Sequence, residues 1–123
     1  MFLQENAEYR KQLTEIETQV NLVQFVSEFV ADEKNKDQLI PANLGITDPA
    51  LIVLITEYNE LLLNKMRVER SASGKNPVLE QMSSQLSLMR ANVLATMVSV
   101  HETLMIAKKR FGRTFQRCRC LAG

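Results

Sequence analysis

The sequence predicts an all-α fold: a long antiparallel helical hairpin, coiled-coil-like, with an additional N-terminal helix. Three observations carry that prediction. Apolar residues recur at alternating spacings of three and four through three long segments, the seam of helices packed lengthwise. Trp is absent and aromatic residues make up only 6% of the 123 residues, which favours aliphatic helix seams over an all-β core. Two interruptions, at 40–49 and 71–77, each end in a capping residue followed by proline, the wording of a helix restart.

The first helix is predicted over about 4–34. Tyr9, Leu13, Ile16, Val20, Val23 and Val30 alternate by four and three, with Ser27 interrupting the stripe. Leu22, Phe25, Val26 and Phe29 widen it near the end, so that part is expected to be more deeply covered. The polar run Asp32-Glu33-Lys34-Asn35-Lys36-Asp37 reads as a fraying end and a solvent loop. In the connector that follows, Gly45 supplies positive φ cheaply, Asp48 is an N-cap and Pro49 fits the first helical position.

The second helix is predicted over 49–72. Leu51, Leu54, Ile55, Tyr58, Leu61, Leu62 and Val68 form one broad face, and Lys65 and Glu69 have i,i+4 spacing. Gly74 suits the following break, and Asn76-Pro77 repeats the cap-then-proline pattern of Asp48-Pro49. The third helix, over 77–109, carries Leu79, Met82, Leu86, Met89, Val93, Thr96/Met97, Val100 and Leu104 in heptad cadence. The short link makes the second and third helices antiparallel neighbours. Leu79, Leu86, Val93, Met97 and Leu104 are expected to pack within the hairpin, and Met82 and Met89 nearer the first helix or a subunit seam.

Charge divides the chain unevenly. Residues 1–107 hold nine basic and fourteen acidic side chains, a net of −5, whereas residues 108–123 hold six basic and no acidic ones, a net of +6. The module at 1–107 therefore has no electrostatic reason to seek nucleic acid. Residues 108–123 are predicted to be a basic tail, disordered or non-native. Within that tail Cys118 and Cys120 close too small a loop for a structural disulfide and make only half a zinc site. No run of about 18 apolar residues occurs and no signal peptide is evident, so any membrane span is expected in flanking segments.

Chemistry finds little purchase. Ser73-Gly74-Lys75-Asn76 lacks the earlier glycine and the following Ser/Thr of a phosphate loop. His101, the one histidine, has no matched nucleophile, and Glu57, Glu60, Glu69 and Glu80 lack His or Cys partners at metal-ligand spacing. The stripe Met82, Met89, Met97, Met105 reads as adaptable seam packing. No catalytic, cofactor-binding or metal-ligating residue is predicted. The residues singled out for structure or interaction are Gly45, Asp48, Pro49, Tyr58, Asn76, Pro77, Leu79, Met82, Leu86, Met89, Val93 and Met97.

A sequence likeness adds to this reading. Ile40-Pro41-Ala42-Asn43-Leu44-Gly45-Ile46-Thr47-Asp48-Pro49-Ala50-Leu51 is followed by Glu57-Tyr58-Asn59-Glu60-Leu61-Leu62-Leu63, Arg70-Ser71-Ala72-Ser73 and Asn76-Pro77-Val78-Leu79. Gln85-Leu86 and Leu88-Met89-Arg90-Ala91-Asn92-Val93 complete the order. Over about 38–95 this resembles the periplasmic region of bacterial capsular and exopolysaccharide tyrosine autokinases, the polysaccharide co-polymerase or chain-length-determinant proteins. The resemblance implies a non-catalytic helical part of an inner-membrane protein, lying in the periplasm, whose kinase domain is elsewhere. It implies homo-oligomerisation and partnership with a polysaccharide polymerase and an outer-membrane export protein, with no cofactor and no nucleic acid. Tyr58 falls at a helix-packing position of the pattern. The pattern does not continue into a Cys/Arg-rich end. Two other readings share the helical features: the hairpin of a periplasmic adaptor in an efflux or secretion system, and a cytoplasmic coiled-coil binding module.

Overall fold

The computed structural model describes the backbone of residues 2–71 and 76–122, and the side chains of residues 6–71 and 76–113. The chain is all-α. Its elements are α1 (Phe2–Ala31), a 3-10 turn (Glu33–Asn35), α2 (Pro49–Ser71) and α3 (Pro77–Ala122), and no strand occurs among the described residues. The predicted break around Gly74 lies in 72–75, outside the described residues.

Local chemistry accounts for the boundaries. Asp32 ends α1 by taking extended backbone (φ −75°, ψ 120°), and its carboxylate accepts the Lys34 amide at 3.0 Å, which caps the 3-10 turn. The expected end near residue 34 is therefore three residues late: the polar run is a capped turn and not a continuation of α1. Asp48 caps α2, its Oδ2 accepting the Leu51 amide at 3.0 Å, with Pro49 at the first helical position. Asn76 does the same for α3, its Oδ1 accepting the Val78 amide at 2.9 Å ahead of Pro77.

α3 is the spine. It packs against both α1 and α2. Tyr9 stacks near Phe111 (ring centroids 5.0 Å apart), Lys108 reaches Glu17 at 4.0 Å, and the Arg90 Nε donates to the Val30 carbonyl at 2.8 Å. These pairs run in opposite chain directions, so α1 lies antiparallel to α3 along its C-terminal part. α2 folds back antiparallel on the N-terminal part, with Tyr58 level with Arg90. At 1.5 Å per residue the 46-residue α3 is about 69 Å long, which lets α1 and α2 share it with only partial overlap. Both ends of the chain consequently leave the bundle at one pole.

Two expectations change here. α3 runs on to Ala122, past the predicted end at 109, so residues 108–122 continue the spine instead of forming a separate disordered tail. No proline follows Pro77, and Gly112, with nothing within 4 Å of where a Cβ would stand, costs the helix only about 1 kcal/mol. Lys108 and Phe111 gain contacts to α1 in return. The side chains of Cys118 and Cys120 lie outside those described.

The seam itself also sorts differently in part. Leu86, Val93 and Met97 are buried, and Met89 and Leu104 pack against that core, while Leu79 and Met82 are half-buried. Met82 lies eight residues before Arg90, about 12 Å beyond the end of α1, so it cannot form the seam with α1 that its spacing suggested. Leu104 lies past the start of α2 and packs on the α1 side, outside the hairpin proper. Phe25, expected in the covered part of the first stripe, is 55% exposed.

Candidate functional site

The core concentrates where α1, α2 and α3 overlap, and a fourth strand of chain fills it. Val23, Val26 and Val30 of α1, Leu51, Ile55, Tyr58 and Leu62 of α2, and Leu86, Val93 and Met97 of α3 form one cluster with Ile40 and Ile46 of the connector. Among the described residues no Cα of α1 comes within 8 Å of one of α2. The connector separates them, its two isoleucines taking the place of direct helix–helix packing.

Two amides hold the connector on either side. Asn59 of α2 accepts the Ile40 amide at 2.8 Å through Oδ1 and donates to the Ile40 carbonyl at 2.9 Å through Nδ2. Gln19 of α1 donates to the Gly45 carbonyl at 2.8 Å and accepts the Thr47 amide at 3.1 Å. Each side chain presents one donor and one acceptor, as a neighbouring β-strand would, so an extended segment beside helices keeps its backbone bonded. Gly45 makes the turn between the two clamps with φ +104°, where its missing side chain stands 3.7 Å from Leu22 Cδ1.

A second group closes the top of the site. α1 has no basic residue in its last turn. Arg90, sixty residues away in sequence, supplies the cation. Its guanidinium donates to the Val30 carbonyl through both Nε and Nη2, to the Asp32 carbonyl at 3.1 Å, to the Asn35 carbonyl at 3.4 Å and to the Tyr58 hydroxyl at 3.3 Å. Tyr58, 1% exposed, donates its hydroxyl to the Lys36 carbonyl at 3.1 Å, and Asn35 Nδ2 donates to the Phe29 carbonyl at 3.1 Å. Three of the carbonyls that the helix end leaves unpaired, those of Glu28, Phe29 and Val30, are thus met by the Asp32 amide, Asn35 and Arg90, with the positive charge at the negative end of the α1 dipole.

Of the residues singled out from sequence, Gly45, Asp48, Pro49, Tyr58, Leu86, Met89, Val93 and Met97 come together around the connector. Asn76, Pro77, Leu79 and Met82 belong to the hairpin end and do not join it. Sequence reasoning passed over Arg90, Asn59, Gln19 and Asn35. One signal pointed to Arg90: it is the only Lys, Arg, Asp or Glu between Glu80 and Glu102.

Ser27, the interruption in the α1 stripe, borders a shallow groove of about 340 Å³ between α1 and α3, with Val23, Met97, Val98 and the half-buried His101. No cluster of three or more His, Cys, Asp or Glu side chains capable of holding a metal ion occurs among the described residues, and no helix there is long and apolar enough to cross a membrane. The arrangement binds a segment of its own chain through main-chain hydrogen bonds and apolar contact. Compared with protein-family models, with curated proteins and with solved structures, the chain matches none.

Proposed function

We propose that the chain is a non-catalytic helical segment of a polysaccharide co-polymerase, acting in oligomerisation and in control of capsular or exopolysaccharide chain length and export. One observation carries the reading: three of the separated pieces of sequence that resemble that family, the first, the second and the last, meet in one place. Ile40, Gly45, Ile46 and Asp48 come from the first piece, Tyr58 and Asn59 from the second, and Arg90 and Val93 from the last, and all belong to the clamp around the connector.

The placement of the chain ends supports the same reading. A module held by membrane spans on both sides needs its two ends at one pole, and α1 begins where α3 ends. The role is mechanical: a stiff body of helices on the periplasmic face of the inner membrane, assembling with copies of itself and engaging a polymerase and an outer-membrane exporter.

The sequence of the gene on either side tests the assignment. Two membrane-spanning segments and a downstream Walker-type kinase are expected, and a gene lacking both refutes it. In the intact gene, R90A combined with Y58F should shift the length distribution of surface polysaccharide on a gel at unchanged protein level. An unshifted distribution would count against a role for the clamp in length control.

A further inference from the structure

We infer that the outer face of α3 is the interface of a homodimer, formed with a second copy of this chain lying antiparallel across a two-fold axis level with Val93. α1 and α2 cover only one side of α3, where Leu86, Arg90, Val93 and Met97 point. Residues nine apart lie about two and a half turns apart and so face opposite ways. Ala95 is thus turned away from Leu86, Leu88 from Met97, and Ser84 and Glu102 from Val93. This outer side is open: Leu88 is 70% exposed, Ser84, Ala91 and Ala95 are exposed as well, and Val98 (54%) and Glu102, also exposed, stand at its edge, where they border the groove beside α1.

Exposed helix faces normally carry charge, and between Glu80 and Glu102 this one carries none. Between Glu80 and Glu102 the only Lys, Arg, Asp or Glu is Arg90, which is spent inward on the end of α1. On the bare face Ser84, Leu88, Ala91, Ala95, Val98 and Glu102 follow spacings of four, three, four, three and four, a heptad seam separate from the buried one. The series is symmetric about position 93. In an antiparallel pair Leu88 meets Val98 of the partner, Ala91 meets Ala95, and the Ser84 hydroxyl meets the Glu102 carboxylate. The small central pair lets the backbones approach, and the larger residues flank it.

Charge selects the direction and the occupant. Glu80 at one end and Lys109 at the other are both exposed and lie on the same flank of the seam. Antiparallel pairing brings each Glu80 within a turn of the partner's Lys109, twice by symmetry. Parallel pairing would set Glu80 on Glu80, Glu102 on Glu102 and Lys109 on Lys109, like charge on like. A self-complementary face of this kind fits a second copy of the same chain. The inference does not rest on the polysaccharide reading; in a chain tethered at one pole it requires the paired α3 helices to lie along the membrane surface.

The seam from Ser84 to Glu102 is about 27 Å long, at the small end for a specific interface, so a micromolar Kd is expected. Sedimentation of the whole chain, with Cys118 and Cys120 changed to Ser, from about 5 to about 500 μM should show a monomer–dimer equilibrium. L88E should weaken it by about 100-fold without changing helix content, since Leu88 is 70% exposed and touches no core. E80K should weaken it by about tenfold, and the double reversal E80K with K109E should restore it. In the same background, Ser84→Cys and Glu102→Cys chains should form a disulfide when mixed and neither when alone. A chain monomeric throughout, a dimer indifferent to L88E, or a Ser84→Cys chain that cross-links to itself would overturn the inference.

Discussion

Replacing Arg90 by alanine removes the only side-chain cation among the described residues that reaches the C-terminal end of α1. The guanidinium donates to three main-chain carbonyls and to the Tyr58 hydroxyl, and α1 has no basic residue of its own in its last turn. A hydrogen bond from a charged donor to a buried acceptor is worth about 1.5–3 kcal/mol when deleted. Asp32 is exposed and its carbonyl can turn to water, so the loss centres on the Val30 carbonyl, with about 1 kcal/mol more from the helix dipole. The expected destabilisation is about 3 kcal/mol, with urea unfolding followed by circular dichroism as the assay. With an m-value of about 2 kcal/mol/M the midpoint should fall by about 1.5 M. R90K keeps the charge but offers a compact ammonium in place of a planar fork, and should recover about 1 kcal/mol of the loss. Y58F should cost about 1 kcal/mol, and combined with R90A should be less than additive by about 0.5–1 kcal/mol, because the two share a hydrogen bond. A midpoint for R90A within about 0.3 M of the parent, or an R90K protein as stable as the parent, would refute the reasoning.

N59L removes both bonds to Ile40 and leaves a backbone amide and carbonyl unpaired beside the core; a loss of about 2 kcal/mol is expected, with the Ile40 amide exchanging far faster in hydrogen-exchange spectra. G45A meets no clash, the nearest atom to its Cβ being 3.7 Å away, so its cost comes from holding alanine at φ +104°, about 1–2 kcal/mol seen as a lower Tm; a neutral result would mean the turn relaxes. D48A should cost about 1 kcal/mol through loss of the α2 cap, and D48N should recover most of it in the same thermal melt. Ending the chain at Ala107 removes Lys108 and Phe111, against which the first turns of α1 pack; amide protection should be lost up to about Leu13 and kept from Val20 to Val30.

The helix starts at Pro49 and Pro77 were legible because their causes are local: a capping side chain bonds an amide two or three residues on, and proline presets φ. The positive φ of Gly45 was legible for the same reason. The buried seam of Leu86, Val93 and Met97 could be read from its spacing, since a heptad pattern states which residues share a face. The ends of α1 and α3 were misplaced. A polar run looks like fraying whether or not Asp32 caps a turn within it, and the basic end of α3 looks like a tail unless Tyr9 and Glu17 are known to stand beside it.

The order of the elements, the starts of α2 and α3 and most of the inward face of each helix were settled by the sequence alone, through propensity, caps and periodicity, which act over one or two turns. What fills the space between the widened end of α1 and α2 was decided only by the tertiary structure: it is the connector, with Ile40 and Ile46 in the core. The same holds for the roles of Asn59, Gln19 and Arg90. Each satisfies main-chain groups nineteen to sixty residues away, and a polar side chain on a helix reads as solvent-facing until the chain that folds back onto it is in place.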